Sequence, residues 1–309
     1  MTIFKNRLLA LPSLGLTNEN LGYSKGISTS DATMCLKVII DDAKIHKKPL
    51  LIAQLDASKA FDSVPYTAII LSLRRVGCPE NILKLVEFLL ENRWVQLDTR
   101  YGRSNGFHPR SGIEQGGPES PLLWILFLEP LMTTLANSNL GYDLNNRAYL
   151  NQLNLTITKV SNITYVDDIT LLSSSESDLG SLINIVRNYL NINGISLNHA
   201  KSILTCNSFV QTISHIDLTL NRSKEFDFLG FPLNADGSFP ASFTSYLSNL
   251  EQRLLTDIAP KRLGPKLCKF IVNQILIPQI SYKSGPFIYS AATLAQTDKI
   301  LRKFLISNL

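Results

Sequence analysis

The sequence predicts an α+β body followed by an all-α region. Three observations carry this. Short apolar runs ending on acidic residues alternate with helix-spaced segments up to about residue 240. Beyond Pro240 the pattern is helical only. With 45% hydrophobic and 18% charged residues over 309 positions, the chain can bury a core.

The elements follow in order. Residues 31–47 place Leu36, Ile39, Ile40 and Ala43 at helical spacing, with Ser30 or Asp31 as N-cap. Residues 50–55 are a buried strand that delivers Asp56 at its C-terminal end. Pro65 and Pro79 stand in the first turns of helices over 66–76 and 79–92. Residues 94–100 and 106–115 read as strands, and 118–139 as a strongly apolar helix stopped by Asn139 and Gly141. Residues 163–166 and 169–172 form a hairpin separated only by Asp167-Asp168. Leu179, Leu182, Ile183, Val186, Tyr189 and Leu190 share one helical face. Strands over 203–206 and 226–231 precede three helices in 241–309, with the change near Pro240 as the boundary.

Charge is unevenly spread. Residues 241–309 carry nine basic and three acidic side chains, a net +6, so the remainder sums to −1 of the chain's +5. A basic tail on a nearly neutral body suits a polyanion, and also fits a solvated helical surface. Cys35, Cys78, Cys206 and Cys268 lie far apart, without zinc or disulfide-framework spacing, and read as buried free thiols of a reducing, intracellular compartment. The longest apolar stretch, 121–136, contains Glu129 and Pro130 and falls short of the roughly 20 residues of a membrane span. No membrane partner is expected. The opening residues have a faintly signal-like character interrupted by Pro12, and read better as a loose or truncated N-terminus.

Three carboxylates stand out: Asp56 at a strand end, and Asp167 with Asp168 at the hairpin. If the two elements neighbour one another in a sheet, the carboxylates converge and repel unless solvent or a cation screens them. Hard oxygen ligands suit Mg²⁺, and such clusters hold two ions in phosphoryl-transfer sites. The dipeptide alone equally fits a solvent-exposed turn.

The surrounding residues decide between these. Leu55-Asp56-Ala57-Ser58-Lys59-Ala60-Phe61-Asp62-Ser63-Val64, Gly112-Ile113-Glu114-Gln115-Gly116-Gly117-Pro118-Glu119-Ser120-Pro121-Leu122 and Tyr165-Val166-Asp167-Asp168 occur in that order. They resemble motifs A, B and C of reverse transcriptases, most closely the non-LTR (LINE-type) retrotransposon enzymes. Residues 21–32 are similar to the motif preceding motif A, residues 194–201 to motif D, and Phe228-Leu229-Gly230-Phe231 to the primer-grip motif E.

The resemblance implies a right-hand polymerase: a partial fingers segment over 1–49, a palm with inserted fingers helices over 50–240, and a helical thumb over 241–309. It implies an RNA-directed DNA polymerase of the nucleus or cytoplasm, with an RNA template, a DNA primer, dNTP and two Mg²⁺ ions, or Mn²⁺ in their place. Asp56 and Asp167 would bind both ions, Ala57 would add its carbonyl, and Asp168 would complete the triad. Phe61 would be the steric gate against a ribose 2′-hydroxyl, with core packing as the other reading. Gln115 and Gly116 would lie against the nucleotide, and Lys201 would donate a proton to pyrophosphate, or be a surface lysine. Tyr165 and Val166 would pack by the primer end, with Phe228, Leu229 and Gly230 gripping it. Asp62 would fix the strand-to-helix turn. His46, His108, His199 and His215 show no metal-ligand spacing.

The chain departs from the pattern in three places. Glu119 stands where motif B is usually apolar, Ser24 and Ile27 where the family is commonly basic, and fewer than 50 residues precede the strand of Asp56. Lys25, Lys47 and Lys48 are the nearby substitutes for triphosphate-binding residues. A catalytically impaired remnant that only binds nucleic acid is therefore the competing expectation. An RNA-dependent RNA polymerase is disfavoured by Phe61 and by valine before Asp167-Asp168.

Overall fold

The computed structural model describes residues 6, 8–9, 20–22, 26–144, 159–210, 216, 220–285 and 291–306. Tyr23, Ser24, Lys25, His215 and most of the opening segment lie outside them. The first half runs α1 (Thr29–Ile45), β1 (Leu51–Leu55), α2 (Ala60–Ser63), α3 (Tyr66–Arg75), α4 (Glu80–Glu91), β2 (Asp98–Thr99), β3 (Gly102–Arg103) and α5 (Ser120–Asn137). It continues through β4 (Tyr142–Asp143), β5 (Lys159–Val160), β6 (Asn162–Tyr165), β7 (Asp168–Ser173), α6 (Glu176–Ile192) and β8 (Ile203–Cys206). The chain then forms β9 (Asn221–Arg222), β10 (Glu225–Phe228), β11 (Phe231–Asn234), α7 (Ala241–Arg253), α8 (Pro265–Ile271), α9 (Ile277–Ser284) and α10 (Ala291–Ile306).

The frame is a five-stranded sheet of order β6-β7-β1-β8-β9. β1 pairs antiparallel with both β7 and β8, so it lies in the interior of the sheet, as its apolar run requires. Alternation then sorts its residues. Leu51, Ala53 and Leu55 join α3, α4, α5 and α6 in one core, while Leu50 and Ile52 join α1 and the β10–β11 hairpin in another. A third cluster, built on Phe243, Leu247, Cys268, Val272 and Phe304, lies within the C-terminal helices.

Local chemistry explains where elements begin, and corrects several sequence expectations. The N-cap of α1 is Ser28, not Ser30 or Asp31: its hydroxyl accepts from Asp31 N–H, and Asp31 accepts from Ser28 N–H in return, a capping box. Pro65 and Pro79 are N-caps rather than first-turn residues. Residues 106–115 form no strand. Two of their amides are spent elsewhere, Gly112 N–H donating to Val64 O (2.8 Å) and Ile113 N–H to Phe61 O (2.7 Å), and the segment makes only isolated bridges, Phe107 with Val95 and Ser111 with Pro65. In residues 94–100 only Asp98 and Thr99 are strand. Residues 226–231 are not one strand but the meeting of β10 and β11 at a Leu229-Gly230 turn.

The C-terminal helices fall into three stretches, as expected, two of which contain a π turn, Leu254–Ile258 and Val272–Leu276. Each π turn runs up to a proline, Pro260 or Pro278, which has no N–H to continue the i→i−4 ladder. All four cysteines are free, but only Cys78 and Cys268 are buried; Cys35 is exposed on α1. No helix among the described residues is long and apolar enough to cross a membrane.

Candidate active site

The register of the central sheet sets the carboxylates. Leu55 on β1 pairs with Ile169 on β7, so one further step brings Asp56 alongside Asp168. The chain past β1 is then held by the segment after α6. Ser202 Oγ accepts from Asp56 N–H (3.1 Å), Asn198 N–H donates to Asp56 O (2.8 Å), and Ser58 N–H donates to Ser196 O (2.8 Å). These bonds flank an antiparallel Ala57–Leu197 bridge. In such a pair the central residue's own N–H and C=O point away from the partner, so the Ala57 carbonyl faces the side of the β6–β7 hairpin.

That hairpin closes on the Tyr165–Asp168 pair, so its two turn residues are Val166 and Asp167, and Asp168 is already the first residue of β7. The expected Asp167-Asp168 turn is thus displaced by one position. Val166 sits at φ 58°, in the left-handed region. A β-branched residue there is an outlier costing about 1–3 kcal/mol, and it persists only where its surroundings impose it. The imposing groups are visible. Trp124 Nε1 on α5 donates to Val166 O (2.9 Å), and the buried Asn20 accepts from Val166 N–H (3.1 Å).

Electrostatics follow from this crowding. Burial, then the charge of Asp56, raises the Asp167 carboxyl above its ordinary range. Asp168 is pushed up to about 6, by burial first and then by Asp167, Asp56 and Asp227. Both residues keep an exposed edge. No three His, Cys, Asp or Glu side chains among the described residues are gathered closely enough to hold a metal ion as they stand. The donor set nevertheless fits a divalent cation: the neighbouring groups are all oxygen donors, and their mutual repulsion is what such an ion offsets.

The other expected residues fall into two groups. Phe61 is half-buried and stacks on Trp124, centroids 5.1 Å apart at 19°, so the ring packs against the residue that bonds the Val166-Asp167 turn. Tyr165 is half-buried beside the turn. Phe228 is fully buried, and Leu229 and Gly230 form a turn at φ 53° and 83°. Gln115 and Gly116 are exposed on the loop before α5, and Lys201 is exposed on a turn whose amide donates to Asn198 O (3.1 Å). Among the described residues no hydrogen bond or ion pair joins the side chains of Gln115 or Lys201 to the carboxylates. Gly116 has φ 100° with open space around a hypothetical Cβ, so glycine serves the backbone angle rather than a close approach within the chain. Glu119 is buried at the start of α5 with Oε2 unpartnered among the described residues. Asp62 is exposed, and its carbonyl accepts from Ser111 Oγ (3.0 Å). His46 approaches Asp42 at 3.5 Å, and His108 Nδ1 meets Arg93 O at 2.9 Å, both structural contacts.

Sequence reasoning missed Trp124, Asn198, Ser202, Asn20 and Asp227. Trp124 is hidden inside an apolar helix and reads as core. Asp227 directly precedes the Phe228-Leu229-Gly230-Phe231 motif, and its carboxylate accepts from Gly230 N–H (2.7 Å).

The chain is 28% identical over 298 residues to the Pol polyprotein of the type-2 retrotransposable element R2DM of Drosophila melanogaster, covering 92% of this chain and 27% of that protein. It is 24% identical over 296 residues to the type-1 element R2 polyprotein of Popillia japonica, covering 91% and 39%. It therefore spans well under half the length of these relatives. Among solved structures, apo telomerase from Candida tropicalis matches with a TM-score of 0.51 at 14% identity over 99% of this chain and 54% of that one, a likeness of fold. Telomerase from Candida albicans, solved with a fragment of telomeric RNA, matches with a TM-score of 0.51 at 12% identity, covering 99% and 51%. Reverse transcriptases generally use divalent metal ions. The family model for reverse transcriptase (RNA-dependent DNA polymerase) matches residues 2–233, and the chain belongs to that family.

Proposed function

We propose that this chain is the RNA-directed DNA polymerase of an R2-like non-LTR retrotransposon, extending a DNA primer on an RNA template with dNTP. The observation that carries the reading is the β1–β7 register, which sets Asp56 beside Asp168 while the Val166-Asp167 turn brings the third carboxylate. Residues 50–240 act as palm with inserted fingers helices, 1–49 as partial fingers and 241–309 as a thumb whose net +6 suits a phosphate backbone.

The residues take these roles. Asp56, Asp167, Asp168 and the Ala57 carbonyl hold two Mg²⁺ ions, or Mn²⁺. Bound there, the ions lower the pKa of the primer 3′-hydroxyl and neutralise charge on the triphosphate. Phe61, braced by Trp124, presents a ring edge that crowds a ribose 2′-hydroxyl. Gln115 and Gly116 border the nucleotide. Lys201 is tied through Asn198 to the backbone of Asp56, which suits delivery of a proton to departing pyrophosphate. Tyr165 and Val166 meet the primer end, and Phe228, Leu229 and Gly230 hold the primer strand.

A second reading, a remnant that binds nucleic acid without extending it, is favoured by one observation: the buried Glu119 carboxylate beside the Gln115-Gly116 loop. Primer extension on an RNA template separates the two. Metal-dependent extension by the purified chain, lost by at least about 100-fold in Asp167→Asn, is the expected result. Salt-sensitive template-primer binding without extension would establish the remnant instead.

A further inference from the structure

The Val166 peptide is gripped from three directions. Asn20 closes both of its hydrogen-bonding groups with one side chain: Oδ1 accepts from Val166 N–H (3.1 Å) and Nδ2 donates to Val166 O (3.3 Å). Trp124 Nε1 adds a second donor to that carbonyl at 2.9 Å. The third grip is steric. A Cβ built on Gly22 would lie 2.6 Å from both Val166 N and Val166 Cγ2, so only glycine lets residues 20–22 lie this close.

The rest of residues 20–22 is ordered around this contact. Asn20 forms a parallel bridge with Thr164, Leu21 N–H donates to Thr164 O (2.8 Å), and Asn20 Oδ1 also accepts from Gly22 N–H (3.0 Å). Asn20 is 3% exposed. A side-chain amide buried 146 positions away in sequence thus completes the peptide at φ 58°, in a turn too short to complete itself. An amide side chain matches this task because it offers an acceptor and a donor side by side, one for the N–H and one for the C=O of the same residue.

We infer that Asn20 is a positioning residue of the polymerase centre. By filling both hydrogen-bonding groups of the Val166 peptide, it keeps that residue in the left-handed conformation that aims Asp167 and Asp168 at the strand end of Asp56. The Asn20 side chain bonds backbone groups of Val166 and Gly22. It acts through the backbone, and the assignment rests on the polymerase reading above only for what the aimed carboxylates do.

The test uses the full chain and the variants Asn20→Ala, Val166→Gly and the double variant. Glycine takes a positive φ without a Cβ penalty, so it lessens the need for the grip. Primer extension is followed with dNTP varied, and Mn²⁺ binding is followed separately by the loss of free-ion EPR signal. Asn20→Ala is expected to lower kcat and weaken Mn²⁺ binding by about tenfold each, a change equivalent to about 1.4 kcal/mol, with KM for dNTP little altered. Val166→Gly in the same chain is expected to restore most of the lost Mn²⁺ binding, and kcat of the double variant, read against Val166→Gly alone because Val166 meets the primer, is expected to show little further loss from Asn20→Ala. Unchanged Mn²⁺ binding in Asn20→Ala would overturn the assignment. So would losses that track a lowered melting temperature and are not restored by Val166→Gly, since Asn20 would then be only a strut. If the unaltered chain binds Mn²⁺ but extends no primer, the polymerase reading fails while the Mn²⁺ series still decides the role of Asn20.

Discussion

Two hairpin turns flank the acidic cluster, and both place a bulky aliphatic residue at positive φ: Val166 at 58° between β6 and β7, and Leu229 at 53° between β10 and β11. Their support differs. The Val166 peptide is held by buried groups of the main body, Trp124 and Asn20. The Leu229 carbonyl accepts instead from the hydroxyl of Tyr282 on α9 (2.7 Å), which also meets Thr29 Oγ1 at 3.2 Å. Lys283 Nζ reaches Gly230 O at 3.4 Å, and the Phe231 and Tyr282 rings pack at 4.5 Å. Tyr282 is 41% exposed. One turn is locked from inside the main body, the other latched from an exposed C-terminal helix. The same local strain therefore serves rigidity in the first case and leaves the second dependent on how the helices after Pro240 sit.

The largest break in this contrast comes from Trp124→Ala. It removes a fully buried ring, its stack on Phe61 and the donor to Val166 O, at about 3–5 kcal/mol of stability. Trp124→Phe sharpens the reading by keeping a ring and deleting the donor, at about 1–3 kcal/mol. Urea unfolding measures both, and ribonucleotide discrimination should relax in each because Phe61 loses part of its backing. Discrimination unchanged in Trp124→Ala would separate Phe61 from the gate.

The Leu229 latch is weaker because water can replace it. Tyr282→Phe deletes two hydrogen bonds at an exposed site, and stability should fall by only about 0.5–1.5 kcal/mol. Template-primer dissociation, followed by fluorescence anisotropy, should quicken severalfold while dNTP discrimination stays as it was. An equal effect on both would mean that the two turns are not independently supported.

What the sequence disclosed divides along the same line. The β1 strand, the β6–β7 hairpin, the α5 helix and the residues flanking Asp56 and Asp167 were legible because their signals are local: short apolar runs, an apolar helix, and ordered motifs. The partners of Val166 were not, since Asn20 and Trp124 reach it across 146 and 42 positions. A left-handed leucine or valine leaves no composition signal either, so residues 226–231 read as one strand until Leu229 and Gly230 are seen to turn. Residues 106–115 misled for the opposite reason. The amides of Ile113 and Gly112 bond to Phe61 and Val64, and only isolated bridges replace a ladder, which no periodicity reveals.

The smallest expected effect concerns the charge both turns share, since Asp168 is crowded by Asp167 and Asp56 on one side and Asp227 on the other. Its carboxyl, pushed up to about 6, takes up a proton in the folded chain before the unfolded chain does. Between the ordinary carboxylate range near pH 4 and about pH 6, the folded state binds more protons, so this group's stabilising contribution is complete below that window and is lost as pH rises through it. Asp168→Asn removes the titration. The melting temperature of the metal-free variant should exceed that of the unaltered chain by about 1–2 °C at pH 7, with the difference shrinking towards pH 4, because solvent at the exposed edge screens the repulsion. Mg²⁺ competes with the same proton, so its stabilising effect on the unaltered chain should fade below pH 6 and be small in the variant at every pH. A variant that melts lower than the unaltered chain at pH 7 without metal would show that Asp168 is stabilised as an anion, and that the two turns do not share a repulsive charge.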